Sequence, residues 1–426
     1  MSEPKQFKKC QAIRGTTDFA QDVLSKFNFI TDKARQTALL YGCEEINLPV
    51  LEDTSVFVRA VGEVTDIVEK QIFKAVRAVA ESKQDIALRP EGTAQVIRYY
   101  IENALNKKKP FHKLFYTGPM FRGERPQKGR LRQFHHLGVE AIGGTDTVLI
   151  DADIIALAVN MLDASGVKNK TVKLNSLGCH ADKVRLTENL KTALAPYKDE
   201  LCPDCLRRVL TNPLRVIDCK EKKCREIIKA LDFKDSHLCV KCKDEFDKLK
   251  NVLRSIEIAF EYDPFLVRGL DYYTNTVFEI VSSDLGSQDA VGAGGRYNNL
   301  ISNLGGPNIP AVGFALGMER IMLISKLKVA QPVIDIYVAG HNDNYINERY
   351  ALVKFLRNEG VSADMDYCSR SLKAQFRAAQ KQDIKYIAVL GDDEIKAGKI
   401  MFRDMMNSKQ EMLDKVEIIK RLISFK

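Results

Sequence analysis

The segment from Phe121 to Phe134 constrains the fold most, because it places five positive charges between two apolar stretches. These flanking stretches contain Leu114, Phe115 and Tyr116 on one side and Leu137, Val139, Ala141 and Ile142 on the other. With Pro and Gly in the basic part, the pattern predicts a hairpin of two half-buried strands joined by a basic loop. Arginines held on strands have fixed directions and suit phosphate oxygens. We therefore expect a polyphosphate or nucleic-acid site here, with a solvated charge run as the alternative.

Length and composition describe a globular protein with more than one domain. The chain has 426 residues, too many for one ordinary core, so two or three domains are expected. The 65 Lys and Arg exceed the 56 Asp and Glu, and the net charge of +9 suits a polyanionic partner. The chain has no long apolar run, and Met1 to Cys10 lacks a signal-peptide core. We expect a cytoplasmic protein that does not enter a membrane.

The order of strand and helix patterns predicts an α+β protein. In residues 1–330 the strand patterns come in clusters, which favours an antiparallel sheet. This part is interrupted at 182–254, where charge density rises and strand patterns vanish, so we expect a mostly helical, Cys-rich insertion. In residues 331–426 short strands and helices alternate, which predicts a small α/β domain.

Six of the ten cysteines fall between Cys202 and Cys242, and in a cytosolic chain such a cluster indicates metal before disulfide. Cys202-x2-Cys205 and Cys239-x2-Cys242 form two knuckle-like pairs that suit tetrahedral Zn²⁺ bound by four thiolates. Cys219-x4-Cys224 lies between the two pairs. The alternative is a set of reduced thiols without a metal.

No phosphate-binding loop of the Gly-x4-Gly-Lys-Ser/Thr type is present, and the Gly292 to Tyr297 stretch fails the dinucleotide fingerprint. A bound nucleotide must therefore be held by side-chain cations. Three separate segments offer them in Gly- and aromatic-rich surroundings. They supply Arg122, Arg130 and Arg132 from the hairpin, Arg268 from the segment 266–273, and Arg320 from the helix start at 317–320.

Five segments, in this order, resemble those of bacterial-type histidyl-tRNA synthetases, a family of class II aminoacyl-tRNA synthetases. They are Arg14–Asp18, Leu88–Thr93, Phe121–Phe134, Arg268–Tyr273 and Gly313–Arg320. The Arg268 segment is the most specific, because it distinguishes the histidine enzymes from other class II synthetases. The resemblance extends from about Ile13 to the C-terminus. It implies an antiparallel class II catalytic domain and a C-terminal anticodon-binding domain.

The resemblance implies a histidine–tRNA ligase, which joins L-histidine to ATP as histidyl-adenylate and then transfers it to tRNA(His), with Mg²⁺ sharing the phosphate charge. It also implies a homodimer, because the family's dimer motif would end near Pro49. There the stretch from Ile46 to Leu51 is expected to form a strand interrupted by Pro49, which places it at a sheet edge or at a junction between two chains.

The resemblance assigns catalytic roles to Arg122 and Arg268, which would hold the α-phosphate and the substrate carboxylate. Arg130 and Arg320 would hold the outer phosphates, and Phe134 would stack on adenine. The full set implied for ATP is Arg122, Glu124, Arg130, Phe134 and Arg320. The residues implied for tRNA are Gln127 and Arg132, in the hairpin loop.

The implied histidine-binding residues are Glu91, Thr93, His136, Glu140, Tyr272 and Tyr273. Glu91 and Thr93 match the amino-group pair, and Glu140 and Tyr273 match the imidazole partners. Glu91 alternatively serves as a carboxylate at a helix N-terminus, a role compatible with the first. His136 departs from the family, which usually has Gln at this position. An imidazole still accepts a hydrogen bond from an ammonium group.

One relative offers a different function on the same fold. The regulatory subunit of ATP phosphoribosyltransferase, a protein of histidine biosynthesis, keeps the catalytic fold without charging tRNA. It generally lacks the C-terminal module and the histidine-specific arginine segment. This chain has both, so the ligase is the favoured hypothesis.

Overall fold

The computed structural model describes residues 9–62, 65, 67–76, 85–231, 235–286, 289–330, 333–341 and 345–423. The chain forms two compact units, residues 1–329 and 330–426. Within the described residues, no helix has the length and apolar character needed to cross a membrane.

The first unit contains eleven described strands. They are β1 (Glu44–Glu45), β2 (Leu51–Asp53), β3 (Phe73–Ala75), β4 (Ile86–Leu88), β5 (Phe111–Phe121), β6 (Gln133–Gly143), β7 (Thr171–Ser176), β8 (Phe260–Tyr262), β9 (Thr274–Val281), β10 (Ala290–Arg296) and β11 (Ala311–Gly317). Eight of them form one sheet in the order β1-β5-β6-β11-β10-β9-β7-β8, and β2-β4-β3 form a small second sheet. Only the outer pairs β1/β5 and β7/β8 of the large sheet are parallel. The predicted antiparallel α+β architecture is confirmed.

Eleven α-helices are described in this unit. They are α1 (Gln21–Leu40), α2 (Thr54–Val61), α3 (Thr93–Glu102), α4 (Thr147–Ala164), α5 (His180–Leu194), α6 (Pro203–Thr211), α7 (Leu214–Ile217), α8 (Lys222–Ala230), α9 (Val240–Ser255), α10 (Leu300–Asn303) and α11 (Met318–Ile324). Helix α4 packs between α1 and α9. Buried Ile154, Leu249 and Phe278 belong to the core between these helices and the large sheet. The residues 182–254 contain helices and no strand in their described part.

The hairpin predicted from the basic segment is present. Strands β5 and β6 pair without interruption from Phe111 opposite Gly143 to Phe121 opposite Gln133. The loop tip is closed by two backbone hydrogen bonds between Gln127 and Arg130. Because the strands continue to the base of the loop, Arg122 and Phe134 have defined positions on the sheet.

The prediction of a strand from Ile46 to Leu51 is wrong. Strand β1 ends at Glu45 and β2 begins at Leu51. The carbonyl of Leu48 accepts a 2.8 Å hydrogen bond from the buried guanidinium of Arg89, and the carbonyl of Val50 accepts from Arg89 N. Pro49 has no N–H for a strand ladder, so side-chain and loop partners replace strand pairing here.

The second unit contains a five-stranded sheet covered by helices. Its elements are β12 (Ile336–Ala339), α12 (Ile346–Asn358), β13 (Ala363–Met365), α13 (Leu372–Lys381), β14 (Tyr386–Val389), α14 (Asp392–Ala397), β15 (Ile400–Asp404), β16 (Gln410–Leu413) and α15 (Lys415–Ile423). The strand order is β13-β12-β14-β15-β16. The first three strands are parallel, as the alternating pattern predicts, whereas β15 and β16 add an antiparallel edge that was not predicted.

Candidate active site

A cleft of about 1170 Å³ lies in the first unit. Arg122, Arg268 and Arg320, which are far apart in sequence, all contribute to its lining. The other sequence-predicted residues in the lining are Glu91, Thr93, Glu124, Arg130, Phe134, His136, Tyr272 and Tyr273. A cleft lined by several guanidinium groups, carboxyls and hydroxyls has the chemistry to bind a polyanion together with a small polar molecule.

Arg122 follows β5 directly and is fixed on two sides. Its Nε donates a 2.9 Å hydrogen bond to the carbonyl of Pro90, and its guanidinium lies 5.2 Å from the ring centroid of Phe134. Burial lowers the pKa of Arg122, because the cation loses water. A bound phosphate would offset this desolvation and meet a guanidinium that is already oriented.

Arg320 is held at the start of α11 by backbone carbonyls. Its Nε donates a 3.0 Å hydrogen bond to Gly129 O, and its Nη1 donates to Ala290 O. Burial lowers the pKa of Arg320, and the charge of Arg130 lowers it further. Arg130 Nη1 lies 3.4 Å from Glu124 Oε2. Two cations that destabilise each other in a cleft gain from a bound anion.

Arg268 lies beside β9, where it forms an ion pair with Glu279. Its Nε is buried and has no hydrogen-bond partner in the part of the chain that the structure describes. A buried charged donor without a partner is costly, and a bound ligand that accepts from this Nε–H would remove the cost. Glu279 also lines the cleft and was not among the predicted residues.

Glu91 caps the first turn of α3. Its Oε2 accepts from Thr93 N at 2.7 Å, and its Oε1 accepts from Ala94 N at 2.9 Å. Burial raises the pKa of Glu91 despite these hydrogen bonds. The helix-terminal role considered from the sequence is therefore real. The carboxyl also lines the cleft, so it remains available to a ligand ammonium.

Glu140 lies on β6 behind Thr93, and it is not part of the cleft lining. Its side chain is 1% exposed. One oxygen accepts hydrogen bonds from Thr93 at 2.7 Å and Tyr116 at 3.4 Å, and the other accepts from Tyr297. Burial raises the pKa of Glu140 to about 8.

His136 lies on β6, in register with Gly118 and Gly317. The centroid of its ring is 5.1 Å from that of the Phe134 ring, and its Nδ1 is buried without a hydrogen-bond partner among the described residues. Burial lowers the pKa of His136 to about 3, and the charges of Arg122 and Arg89 contribute. The ring is therefore neutral near pH 7, and one ring nitrogen has a lone pair to offer a donor.

Tyr272 and Tyr273 are buried side by side, with ring centroids 4.6 Å apart. The insertion supports their backbone. Lys183 of α5 donates hydrogen bonds of 2.6 Å to Asp271 O and 3.0 Å to Tyr273 O. Asn212 donates a 2.7 Å hydrogen bond to Asp271 Oδ1. The segment that carries the two tyrosines is therefore held by both the sheet and the insertion.

Gln127 and Arg132 do not line the cleft. Gln127 forms the turn at the hairpin tip, and Arg132 N donates a 2.7 Å hydrogen bond to Gly15 O. A Cβ on Gly15 would lie 2.8 Å from Pro126 Cγ, and φ is +92°, so this contact requires glycine. The Arg14–Asp18 segment thus supports the hairpin loop.

The structure groups the cysteines differently from the predicted site. Instead of joining Cys202 and Cys205 to Cys239 and Cys242, it forms two separate groups among the described residues. The first is Cys202, Cys205, Cys219 and Cys224; the second is Cys179, Asp182, Cys239 and Cys242. The pair Cys202 and Cys205 lies at the start of α6 and meets Cys219 and Cys224. The pair Cys239 and Cys242 lies at the start of α9 and meets Cys179 and Asp182.

Comparisons with known proteins add a family to this geometry. The family model described as histidyl-tRNA synthetase matches residues 15–321, and the one described as anticodon binding domain matches residues 333–424. The histidine–tRNA ligase of Syntrophotalea carbinolica is 42% identical over 400 residues, which cover 94% of each chain. That of Desulforamulus reducens is 40% identical and covers 95% of this chain and 97% of its own.

The chain belongs to the histidyl-tRNA synthetase family.

Solved structures agree with the family assignment. The apo histidyl-tRNA synthetase of Staphylococcus aureus has a TM-score of 0.79 at 30% identity, covering 97% of this chain and all of its own. A Bacillus halodurans structure titled ATP phosphoribosyltransferase regulatory subunit/histidyl-tRNA synthetase has a TM-score of 0.64 at 21% identity, which indicates the shared fold alone. The near-full-length relatives named histidine–tRNA ligase favour the ligase over the regulatory paralogue.

Within this family framework, sequence reasoning missed several cleft residues. The insertion contributes a set of basic side chains to the lining, namely Arg208, Arg215, Lys220, Arg225 and Lys229. Their charge density was visible in the sequence, but nothing in the sequence placed the insertion beside the cleft. Tyr116 also lines the cleft, although the sequence indicates only an apolar strand residue at this position. Its ring fills the space that a Cβ on Gly92 or Gly138 would occupy.

Proposed function

We propose that this chain attaches L-histidine to tRNA(His), through ATP-dependent formation of histidyl-adenylate. The observation that carries the proposal is that Arg122, Arg268 and Arg320 line one cleft in a chain with near-full-length histidine–tRNA ligase relatives. In the first step the histidine carboxylate attacks the α-phosphorus and pyrophosphate leaves. In the second, a terminal hydroxyl of the tRNA attacks the activated carbonyl and AMP leaves.

Catalysis in this proposal consists of positioning and charge stabilisation. Arg122 and Arg268 hold the α-phosphate and the histidine carboxylate, so that the attacking oxygen and the phosphorus are brought together. As negative charge grows on the phosphate oxygens, their guanidinium groups stabilise it without reorganising. Arg130 and Arg320 hold the outer phosphates, and Phe134 stacks on adenine while packing against Arg122.

The carboxylates of this cleft fit Mg²⁺ held together with phosphates. Glu124, Glu279 and Asp289 line the cleft, and their charges act on Arg320, where the outer phosphates are expected. Mg²⁺ prefers one or two carboxylates plus phosphate oxygens. The ion would neutralise phosphate charge during the release of pyrophosphate.

Histidine selection uses the wall formed by α3 and β6. Glu91, Thr93 and His136 accept from the substrate ammonium, and the neutral His136 ring does so without charge repulsion. Glu140 acts on the imidazole side through its hydroxyl partners, and Tyr273 provides a second hydroxyl. Other amino acids leave these buried groups unpaired, so the site is expected to reject them by a factor on the order of 10⁴ or more.

We assign the tRNA to the basic rim of the cleft and to the second unit. Gln127 and Arg132 face the acceptor end from the hairpin loop, and the insertion cations line the route to the adenylate. In this proposal residues 1–330 form the catalytic domain, interrupted by the insertion at 182–254. Residues 331–426 form the anticodon-binding domain.

The proposed assembly is a homodimer. Leu39, Leu40 and Leu51 are large apolar side chains that remain exposed around the region expected to carry the dimer motif. A second copy of the chain packed against this region would remove these apolar side chains from water. Sedimentation of the purified chain at micromolar concentration gives twice the chain mass if the proposal holds.

We also assign one structural Zn²⁺ to the first cysteine group. Its four ligand atoms lie within 4.8 Å of one another, and Cys205, Cys219 and Cys224 are buried. Cys224 Sγ accepts a 3.3 Å hydrogen bond from Cys202 N. Four clustered thiols with backbone support suit a closed tetrahedral zinc site. Cys202 and Cys219 also line the cleft, so the ion would stabilise its wall.

Charging of tRNA(His) with radiolabelled histidine tests the proposal directly. The purified chain, with ATP and Mg²⁺, is expected to form acid-precipitable histidyl-tRNA on tRNA(His) and not on tRNA with another anticodon and acceptor stem. Absence of charging, together with retained binding to an ATP phosphoribosyltransferase catalytic subunit, would establish the regulatory paralogue instead.

A further inference from the structure

A second group of metal-ligating side chains lies outside the proposed catalytic site and outside the first cysteine group. Cys179, Asp182, Cys239 and Cys242 each offer one ligand atom, and the four atoms lie within 4.8 Å of one another. Because they come from the starts of α5 and α9, we name them the α5–α9 cluster. We propose that the α5–α9 cluster binds a second zinc ion through three thiolates and one carboxylate oxygen.

The separations suit tetrahedral coordination after a small contraction. Zn–S bonds of about 2.3 Å place the sulfurs of a tetrahedral site about 3.8 Å apart. No pair of ligand atoms is more than 4.8 Å apart, so each pair of sulfurs lies within about 1 Å of that separation or closer. Three sulfurs and one oxygen form a donor set that favours zinc over the harder Mg²⁺ and Ca²⁺.

The cluster repeats the local structure of the first cysteine group. Cys202 and Cys205 occupy the N-cap and third positions of α6. Cys239 and Cys242 occupy the same positions of α9, and Cys179 and Asp182 those of α5. In both groups the sulfurs therefore lie at helix N-termini, whose partial positive charge is a favourable neighbour for metal-bound thiolates.

Asp182 is the charged member of the α5–α9 cluster. Its side chain is 0% exposed and lies among three sulfurs. Its two oxygens accept backbone hydrogen bonds from Cys239 N at 3.1 Å and Cys179 N at 3.3 Å. The nearby cation, Arg185, is 3.7 Å away and half exposed. A divalent ion bound by the three sulfurs would place positive charge next to this buried carboxylate, in addition to the hydrogen bonds that it already accepts.

The surrounding hydrogen bonds are those of outer partners at metal sites. Each carboxylate oxygen that accepts an N–H keeps a second lone pair for the ion. Asn275 Nδ2 donates to Cys242 Sγ at 3.7 Å, which stabilises a thiolate more than a thiol. Cys179, Cys239 and Cys242 also line a cavity of about 250 Å³, which gives an ion a path from solvent.

The site would tie the insertion to the segment carrying the buried tyrosines. Asn275 N donates a 2.7 Å hydrogen bond to Gly178 O, next to Cys179. Lys183, on the first turns of α5, holds the carbonyl oxygens of Asp271 and Tyr273. Under the proposed function, loss of this ion would therefore raise the KM for histidine. The binding of zinc itself does not depend on that function.

Zinc content of the full-length chain tests the proposal. Elemental analysis after purification without chelator is expected to give about two zinc ions per chain, one for each closed group of ligands. Cys239→Ser and Cys202→Ser are each expected to lose one ion, and the double variant both. Cys368→Ser, which changes an exposed cysteine outside both groups, retains two. A wild-type chain with one ion that Cys239→Ser leaves in place overturns the proposal.

Changes at Asp182 separate metal binding from helix capping. Asp182→Cys offers a fourth thiolate and is expected to retain the second ion, whereas Asp182→Ala is expected to lose it. Equal zinc content in the wild type and Asp182→Ala would mean that the carboxylate only caps α5, and would overturn the proposal. If variants fail to fold, Co²⁺ exchange into the wild-type chain decides: two spectroscopically distinct tetrahedral cobalt sites are expected, and one alone contradicts it.

Discussion

Thr93 Oγ1 donates a 2.7 Å hydrogen bond to Glu140 Oε1, and both side chains are buried. Thr93 lines the cleft, whereas Glu140 lies behind it and accepts a further hydrogen bond from the Tyr297 hydroxyl. The hydroxyl that lines the cleft is therefore oriented by a carboxyl that does not itself form the cleft surface.

Glu140 should make stability depend on pH. Its folded pKa of about 8 lies above its ordinary value of 4.5. Between these values the folded state holds a proton that the unfolded state releases, so stability from this group falls as pH rises through the window. Glu140→Gln removes the titration. Between pH 5.5 and 7.5 the wild type is expected to lose roughly 2–3 kcal/mol relative to the variant, measured by urea unfolding.

Tyr297→Phe provides the matched comparison for Glu140. The Tyr297 hydroxyl lowers the carboxyl pKa, so its removal should move the upper end of the pH window to higher pH. An identical pH slope in the wild type and Glu140→Gln would show that the carboxyl titrates normally.

His136 is expected to contribute a lone pair to histidine binding. His136→Gln supplies an amide oxygen in place of the imidazole nitrogen and should keep the KM for histidine within a few-fold. His136→Ala removes the acceptor and should raise it about 10–100-fold, the worth of a hydrogen bond to a charged group. Steady-state ATP–pyrophosphate exchange measures both, with the KM for ATP as the internal control. An unchanged histidine KM in His136→Ala would remove this residue from the site.

The ion pair of Arg296 and Asp151 should be a major contribution to folding. The two charges are 2.8 Å apart, Arg296 is 2% exposed, and Asp151 also accepts from Thr276. Arg296→Ala leaves a buried carboxylate unpaired, so a loss of about 3–5 kcal/mol in the free energy of unfolding is expected. Lys248→Ala breaks an exposed pair with Asp244 and should change nothing measurable in the same denaturation experiment. Equal effects of the two variants would contradict this account.

The sequence predicted what local pattern and chemistry determine. The β5–β6 hairpin followed from apolar stretches on both sides of a basic loop, and Arg122 and Phe134 followed from the hairpin. The shared cleft of Arg122, Arg268 and Arg320 was expected from family resemblance rather than from spacing, because no local rule brings three distant segments together.

The remaining features depend on contacts that sequence spacing does not encode. Both outer Cys-x2-Cys pairs suit zinc, but which pair meets which depends on how α6 and α9 pack. Packing supplies Cys219 and Cys224 as the partners of the first pair and Cys179 and Asp182 as those of the second. The stretch 46–50 carries apolar residues suited to a strand, yet Arg89 takes its carbonyl oxygens. In both cases a tertiary contact overrides a local preference.

Histidine-dependent ATP–pyrophosphate exchange by Arg268→Ala and Arg268→Lys is the most direct test of the central claim, that separate guanidinium groups act on one triphosphate and one carboxylate. The account predicts a rate about 10²–10³-fold below wild type for Arg268→Ala. Arg268→Lys should also be strongly impaired, because an ammonium keeps the charge but not the planar fork. Arg421→Ala, which changes an exposed ion pair in the second unit, serves as control. Near wild-type exchange in a correctly folded Arg268→Ala protein would contradict the account.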